Sequence, residues 1–141
     1  MAIIGFNFTR MEVERLKAVS GKIKIDNNIS IKNVLPTDLA LGKSKEKGII
    51  FKFEFISSYD PKVANLQLYG EIIFMEEEKK IQDILDTWKK NKKVPGDVMT
   101  NILNNILSKC TIEALLLSKE LNLPPPVPLP KVSMKEGISE D

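Results

Sequence analysis

The sequence predicts an α+β domain: an antiparallel sheet of about four strands with one apolar face, followed by two helices that cover it. Three observations predict it. Apolar residues recur at every second position through the first half of the chain, and the period lengthens to that of a helix after Met75. Polar residues fill the alternate strand positions, which marks a half-solvated antiparallel sheet rather than a parallel one buried on both faces. A Pro95-Gly96 break then divides the helical half in two.

The first strand places Phe6, Phe8, Met11 and Val13 among polar residues, with a phase slip near Arg10 that fits a bulge. Ile23 and Ile25, then Ile29 and Ile31, alternate around Asp26-Asn27-Asn28. That trio is a turn signal, so two short strands of a hairpin are expected. Residues 34–47 contain Pro36, Gly42 and a charged cluster, and predict a long connection. From Gly48 to Tyr59, Ile49, Phe51, Phe53 and Phe55 share one face, and Ile50, Lys52, Glu54 and Ile56 the other. Asp60-Pro61 marks a turn. From Val63 to Met75, Ala64, Leu66, Leu68, Gly70, Ile72 and Phe74 face one way, and Asn65, Gln67, Tyr69, Glu71 and Ile73 the other.

Ile81, Ile84, Leu85 and Trp88 are spaced as the apolar stripe of a helix. Glu76, Glu77 and Glu78 stand at its start and Lys89, Lys90, Lys92 and Lys93 at its end, where each sign complements the helix dipole. Asp97 suits the N-cap or first turn of a second helix running to about Glu120. Val98, Ile102, Ile106 and Cys110 form its stripe, with Leu103, Leu107, Ala114 and Leu117 beside it. Leu115-Leu116-Leu117 makes its end apolar on more than one side, which either the monomer or a second subunit must cover. The run Pro124-Pro125-Pro126-Val127-Pro128-Leu129-Pro130 has to leave the helix as an extended, polyproline-like strip. Val127, Leu129 and Val132 can pack along it. The expected organisation is one domain over residues 1–132 and a flexible polar tail over 133–141.

At 141 residues, the chain has the length of one domain and can bury ~68% of its unfolded surface. The net charge of +2 is spread over both signs, and arginine is limited to Arg10 and Arg15, which argues against nucleic-acid binding. One cysteine excludes an intrachain disulfide and fits a cytoplasmic location. The apolar start Ala2-Ile3-Ile4 is short for a signal peptide, and no stretch approaches the roughly 18 apolar residues of a membrane helix, so no membrane insertion is expected.

Chemistry is sparse. The absence of histidine removes the commonest general acid–base, the nucleophilic triads and the commonest metal ligand, so no catalytic residue, cofactor or metal site is expected. Gly42-Lys43-Ser44 resembles the end of a phosphate loop, but Thr37 stands where the motif needs its first glycine. The glutamate cluster lacks the glycine-centred spacing of a calcium loop. Cys110 lies on the apolar stripe as a small hydrophobe, Trp88 belongs to a core or interface, and the lysine run fits a solvated helix end. The proline strip, with apolar rather than basic residues between prolines, fits internal packing better than an SH3-type ligand.

The order of features in the C-terminal third resembles the family of the bacterial export chaperone SecB. Asn101-Ile102-Leu103 and Cys110-Thr111-Ile112 are similar to the Asn-Ile-Leu and Cys-Ile-Thr of that family's helix. The exit through Leu121-Asn122-Leu123 into Pro124-Pro125-Pro126-Val127 is similar to the family's Asn-Leu segment followed by Pro-Val. The similarity of letters covers residues 98–130, and that of architecture residues 5–132. The sequence departs from the pattern after the strip, where the bacterial family carries another helix and an acidic tail that helps bind the translocation ATPase. Archaeal-type or toxin-linked relatives fit better than a protein-transport role coupled to an export motor.

The resemblance implies a non-enzymatic, ATP-independent holdase that binds unfolded or nascent polypeptide as a homo-oligomer, a dimer or dimer of dimers. The candidate polypeptide-binding or interface residues are Ile56, Tyr69 and Ile73 on the second sheet face, with Leu115, Leu116, Leu121, Leu123 and Val127. The alternative is a structural or regulatory homo-oligomer whose apolar surface is all subunit interface. A third reading, a small enzyme with a carboxylate or lysine base, requires Lys52, Glu54, Glu71 or Asp60 to cluster in a concave pocket.

Overall fold

Alternation in the first half of the chain becomes a single four-stranded antiparallel sheet in the computed structural model, which describes residues 2–41 and 44–130. The strands are β1 (Ala2–Arg15), β2 (Lys24–Leu41), β3 (Ser44–Asp60) and β4 (Ala64–Met75), in the order β1-β4-β3-β2. Two helices follow, α1 (Glu78–Asn91) and α2 (Gly96–Glu120). The tail at 133–141, Val132 and the glycine and lysine of the Gly42-Lys43-Ser44 remnant lie outside the described residues.

Two sequence expectations are corrected. Asp26-Asn27-Asn28 is not a turn: it runs inside β2, opposite Ser58, Ser57 and Ile56 of β3. The physical reason is phase. Ile25, Asn27, Ile29 and Ile31 keep one unbroken period of two, so the polar trio continues the strand instead of reversing it. Residues 34–47 are not a long connection either. They supply the distal halves of β2 and β3, paired from Val34↔Phe51 to Leu41↔Ser44. Pro36 is tolerated because β2 is an edge strand. The bulge expected near Arg10 is present, as a register shift between Phe8 and Arg10 against β4.

Both helices lie on one sheet face. Phe51, Phe53 and Phe55 of β3 and Leu66, Leu68, Ile72 and Phe74 of β4 pack against Ile81, Ile84 and Trp88 of α1 and Val98, Ile102, Ile106, Cys110 and Ala114 of α2. Burial of each such large side chain contributes about 1.5–3 kcal/mol, and this cluster is the main source of stability. The buried residues of α2 step by four, so the contact line drifts about 40° per step as the helix crosses the sheet. Leu107, expected beside the stripe, is consequently exposed. Asp97 falls in the first turn of α2, behind a Pro95 cap.

Because β1 and β2 occupy opposite edges, residues 16–23 must cross one end of the sheet. Three strand spacings are about 14 Å, and eight extended residues reach about 26 Å. The crossing is pinned where Leu16 N donates to the Val63 carbonyl at 2.7 Å. It turns at Gly21, whose φ of +73° suits glycine. This crossing lays Val19 and Ile23 over the open end of the sheet, where a second apolar cluster forms from Tyr59, Val63, Ala64 and Leu123.

Candidate functional site

The second cluster is capped by the chain that leaves α2. Leu123 N donates to the Ser118 carbonyl at 2.9 Å and Asn122 N to the Lys119 carbonyl at 3.1 Å. With Asn122 at φ +55°, this is a Schellman-type stop, and asparagine suits its left-handed position. The stop turns the proline strip back over the ends of β2 and β3. Prolines have no N–H, so the strip is held there through carbonyls. The Tyr59 hydroxyl donates to the Pro124 carbonyl at 2.6 Å, and the Asn27 amide donates to the Pro126 carbonyl at 2.8 Å. Arg15 also donates to the Leu121 carbonyl at 3.1 Å. Burial pushes the Tyr59 hydroxyl up to about 12, partly offset by the Ser118 hydroxyl, so it stays a protonated donor at neutral pH.

An open apolar trough flanks each side of the strip. One, of about 680 Å³, lies against α2 and is lined by Val19, Leu115, Leu123, Pro124, Pro125 and Leu129 among others. The other, of about 480 Å³, lies against the start of β2 and is lined by Ile23, Ile25, Val127, Leu129 and the prolines. Leu129 is 46% exposed at the rim of both.

The eight candidate residues therefore divide. Leu115, Leu123 and Val127 line the troughs, and Leu121 packs on the cluster beneath. Leu116 points away from them. With Leu107 and Ile112 it leaves α2 with exposed apolar side chains at 52%, 47% and 58%. Ile56, Tyr69 and Ile73 are on the opposite face of the sheet, across from Gln67, Glu54 and Ile50 respectively. That face is mixed rather than apolar. Lys32 pairs with Glu54 at 3.2 Å, and the Arg10 guanidinium sits 5.5 Å from the centre of the Tyr69 ring. Lys52 and Glu71 are register partners there, with Glu54 two positions along β3, whereas Asp60 stands at the far end of β3, so the sheet does not bring all four groups together.

Val19, Ile23 and Ile25 escaped sequence reasoning as site residues. Ile23 and Ile25 read as arms of a hairpin, and Val19 stands alone in a polar stretch with no periodic signal. The remaining charged features stand outside the troughs. Glu78 of the acidic cluster pairs with Lys47 at 3.1 Å. Lys89, Lys90, Lys92 and Lys93 are exposed, and the Lys92 ammonium lies 5.4 Å from the centre of the Trp88 ring. Among the described residues, no group of three or more cysteine and acidic side chains is placed to hold a metal ion.

Cys110 is fully buried, and burial pushes its thiol up to about 12, with Glu113 adding to the shift. A thiol held protonated and out of solvent reacts slowly. A colourless-to-coloured disulfide reagent at pH 8 is expected to label Cys110 only as fast as the domain opens, and stoichiometrically in denaturant. Rapid labelling of the folded protein would show that α2 does not hold this side chain against the sheet.

No protein-family model matches the chain, and no curated protein is similar to it in sequence. Its fold is similar to that of a SecB-like chaperone from Mycobacterium tuberculosis, solved in complex with a ChAD peptide from the HigA1 antitoxin. The TM-score is 0.56 and the identity 12%, over 94% of this chain and 89% of that one. The α+β arrangement of four antiparallel strands followed by two helices is thus SecB-like. Among the described residues, no helix is long and apolar enough to cross a membrane.

Proposed function

We propose that this protein is an ATP-independent holdase that binds unfolded polypeptide segments in the troughs beside the proline strip. The observation that carries the reading is the pair of open apolar depressions of about 680 and 480 Å³ on a SecB-like fold. Both are lined mainly by apolar side chains, which suits an apolar segment of extended chain. Such a surface accepts many sequences, because burial of apolar area is not directional. Lys119 lines the larger depression, and the exposed Lys22 and Lys24 flank Ile23 of the smaller one, so charge stands close to the apolar surface and favours solubility.

The test is suppression of aggregation of a chemically unfolded client, without nucleotide. Near-stoichiometric protein is expected to suppress light scattering, and Leu115→Asp to weaken this about tenfold or more, because a charge in an apolar contact must be desolvated on binding. Absence of suppression at stoichiometric excess would overturn the reading.

The exposed side chains Leu107, Ile112 and Leu116 favour a second role for α2 as a contact between copies of the chain. Ile112→Asp with Leu116→Asp is expected to lower the mass measured by light scattering while leaving Leu115 and the troughs intact. If these replacements abolish client binding and leave the mass unchanged, the apolar face of α2 is part of the client site and not a subunit interface.

A further inference from the structure

The proline strip has the properties of a bound peptide more than those of a wall. Residues 124–130 contain five prolines, so the segment offers almost no donors and cannot pair as a strand. Among the described residues, two hydrogen bonds hold it, both to its carbonyls and both from side chains, those of Tyr59 and Asn27. These donors sit on neighbouring strands and on the helix side of the sheet, since Asn27 is opposite Ser57 and Ile25 opposite Tyr59. At this end of the sheet the strip takes the place of a helix. Its anchoring is uneven. Leu123 and Pro126 are buried, whereas Pro125, Pro128, Leu129 and Pro130 are exposed. Pro124, Pro125 and Leu129 contribute to both troughs, so the two depressions are one apolar surface divided by the strip.

We propose that the strip is a strap, latched by Tyr59 and Asn27, that occupies the middle of a continuous groove for an extended polypeptide segment. Released, it would uncover the surface between Leu115 and Ile25 as a single channel. This rests on the holdase reading above and adds its regulation. The occupant is an extended, apolar stretch of unfolded chain, because the strip itself shows what that surface accommodates: an extended backbone, alternate apolar side chains and carbonyls facing side-chain donors. Held closed, the strap lowers the apparent affinity of the groove by the fraction of molecules that are open.

The latch can be loosened without emptying the core. Tyr59→Phe keeps the ring and removes the donor to Pro124, and Asn27→Ala removes the donor to Pro126 from an exposed position on an edge strand. Binding of a fluorescent, unfolded apolar peptide to the full chain is measured by anisotropy, alongside hydrogen exchange at the Val127 and Leu129 amides. One hydrogen bond of ordinary net strength changes an equilibrium about fivefold. Each single variant is therefore expected to bind the peptide about fivefold tighter than the wild type, the double variant tighter still, with exchange at both amides faster in step. Three outcomes decide it. Exchange that speeds up while affinity stays the same or falls overturns the strap and leaves the holdase reading standing. Peptide bound only by the loosened variants supports the strap in its strongest form. No binding by wild type or either variant, with native near-ultraviolet circular dichroism retained, overturns both.

Discussion

Gly70→Val is expected to cost about 3 kcal/mol or more of stability, at or beyond the upper end of the usual range for overpacking. Strand propensity alone predicts the opposite sign, since valine is favoured over glycine in a sheet by up to ~1 kcal/mol. Geometry decides between them. A Cβ on Gly70 would lie 2.5 Å from the Asn7 carbonyl oxygen and 2.5 Å from the Phe53 ring. The oxygen belongs to the backbone of β1, the strand paired with β4, so relief would break the ladder. The ring has little freedom either, because Phe53 is packed at 5.2 Å from Phe6 and 6.3 Å from Phe8. Gly70 is thus the gap into which these rings fit. Urea unfolding followed by circular dichroism checks this, and Gly70→Ala should show the same sign with a smaller size. A loss below about 1 kcal/mol for valine would mean that the aromatic cluster repacks freely, contrary to the density of protein cores.

Phe51→Ala is expected to destabilise by about 3–5 kcal/mol, the range for deleting a buried aromatic ring. Phe51 is 0% exposed, faces Ile72 across the strand pair, and meets Phe74 edge-on with ring centres 5.8 Å apart. The aromatic contact adds about 0.5–1.5 kcal/mol beyond the area term, and a double-mutant cycle with Phe74→Leu isolates it. Ile56→Ala, on the same strand but the other face, is the control and should cost about 1 kcal/mol or less. Equal losses at the two positions would contradict the assignment of faces in β3. For a domain of this length either core loss is a large share of the total, which is usually about 5–15 kcal/mol.

Both predictions concern strands that are legible in the order of residues alone. The alternation of Ile49, Phe51, Phe53 and Phe55 against Leu66, Leu68, Ile72 and Phe74 fixes two strands and their inner face. The stripe Ile81, Ile84, Leu85, Trp88 and its charged ends give α1, and Pro95-Gly96 gives the break before α2. These signals are strong because each repeats several times within a short window. Asp26-Asn27-Asn28 misleads because turn composition and strand phase disagree there. Phase prevails: β3 supplies Ser57 and Ser58 as partners, and polar side chains on an edge strand are not penalised. The stretch from Val34 to Lys47 misleads for a related reason, since proline and charge lower strand propensity in isolation but suit the edge of a long hairpin.

The candidate site is legible only in pieces. Leu115, Leu123 and Val127 stand out by apolar excess, and the structure gathers them at the troughs. Ile56, Tyr69 and Ile73 stand out by the same criterion, and the sheet holds them on its far side. Composition cannot distinguish these cases, because surplus apolar residues carry no address. The sequence by itself determined the two central strands over residues 48–59 and 63–75 with their inner face, the two helices with the break between them, and the absence of histidine, all of which depend on residue identity and local period. Only the tertiary structure decided that the strip returns to the sheet. The bonds that return it join Asn27 to Pro126 and Tyr59 to Pro124, partners 99 and 65 positions apart. Contacts at such separation are set by how the chain crosses the sheet and where α2 stops, and no local pattern of residues encodes them.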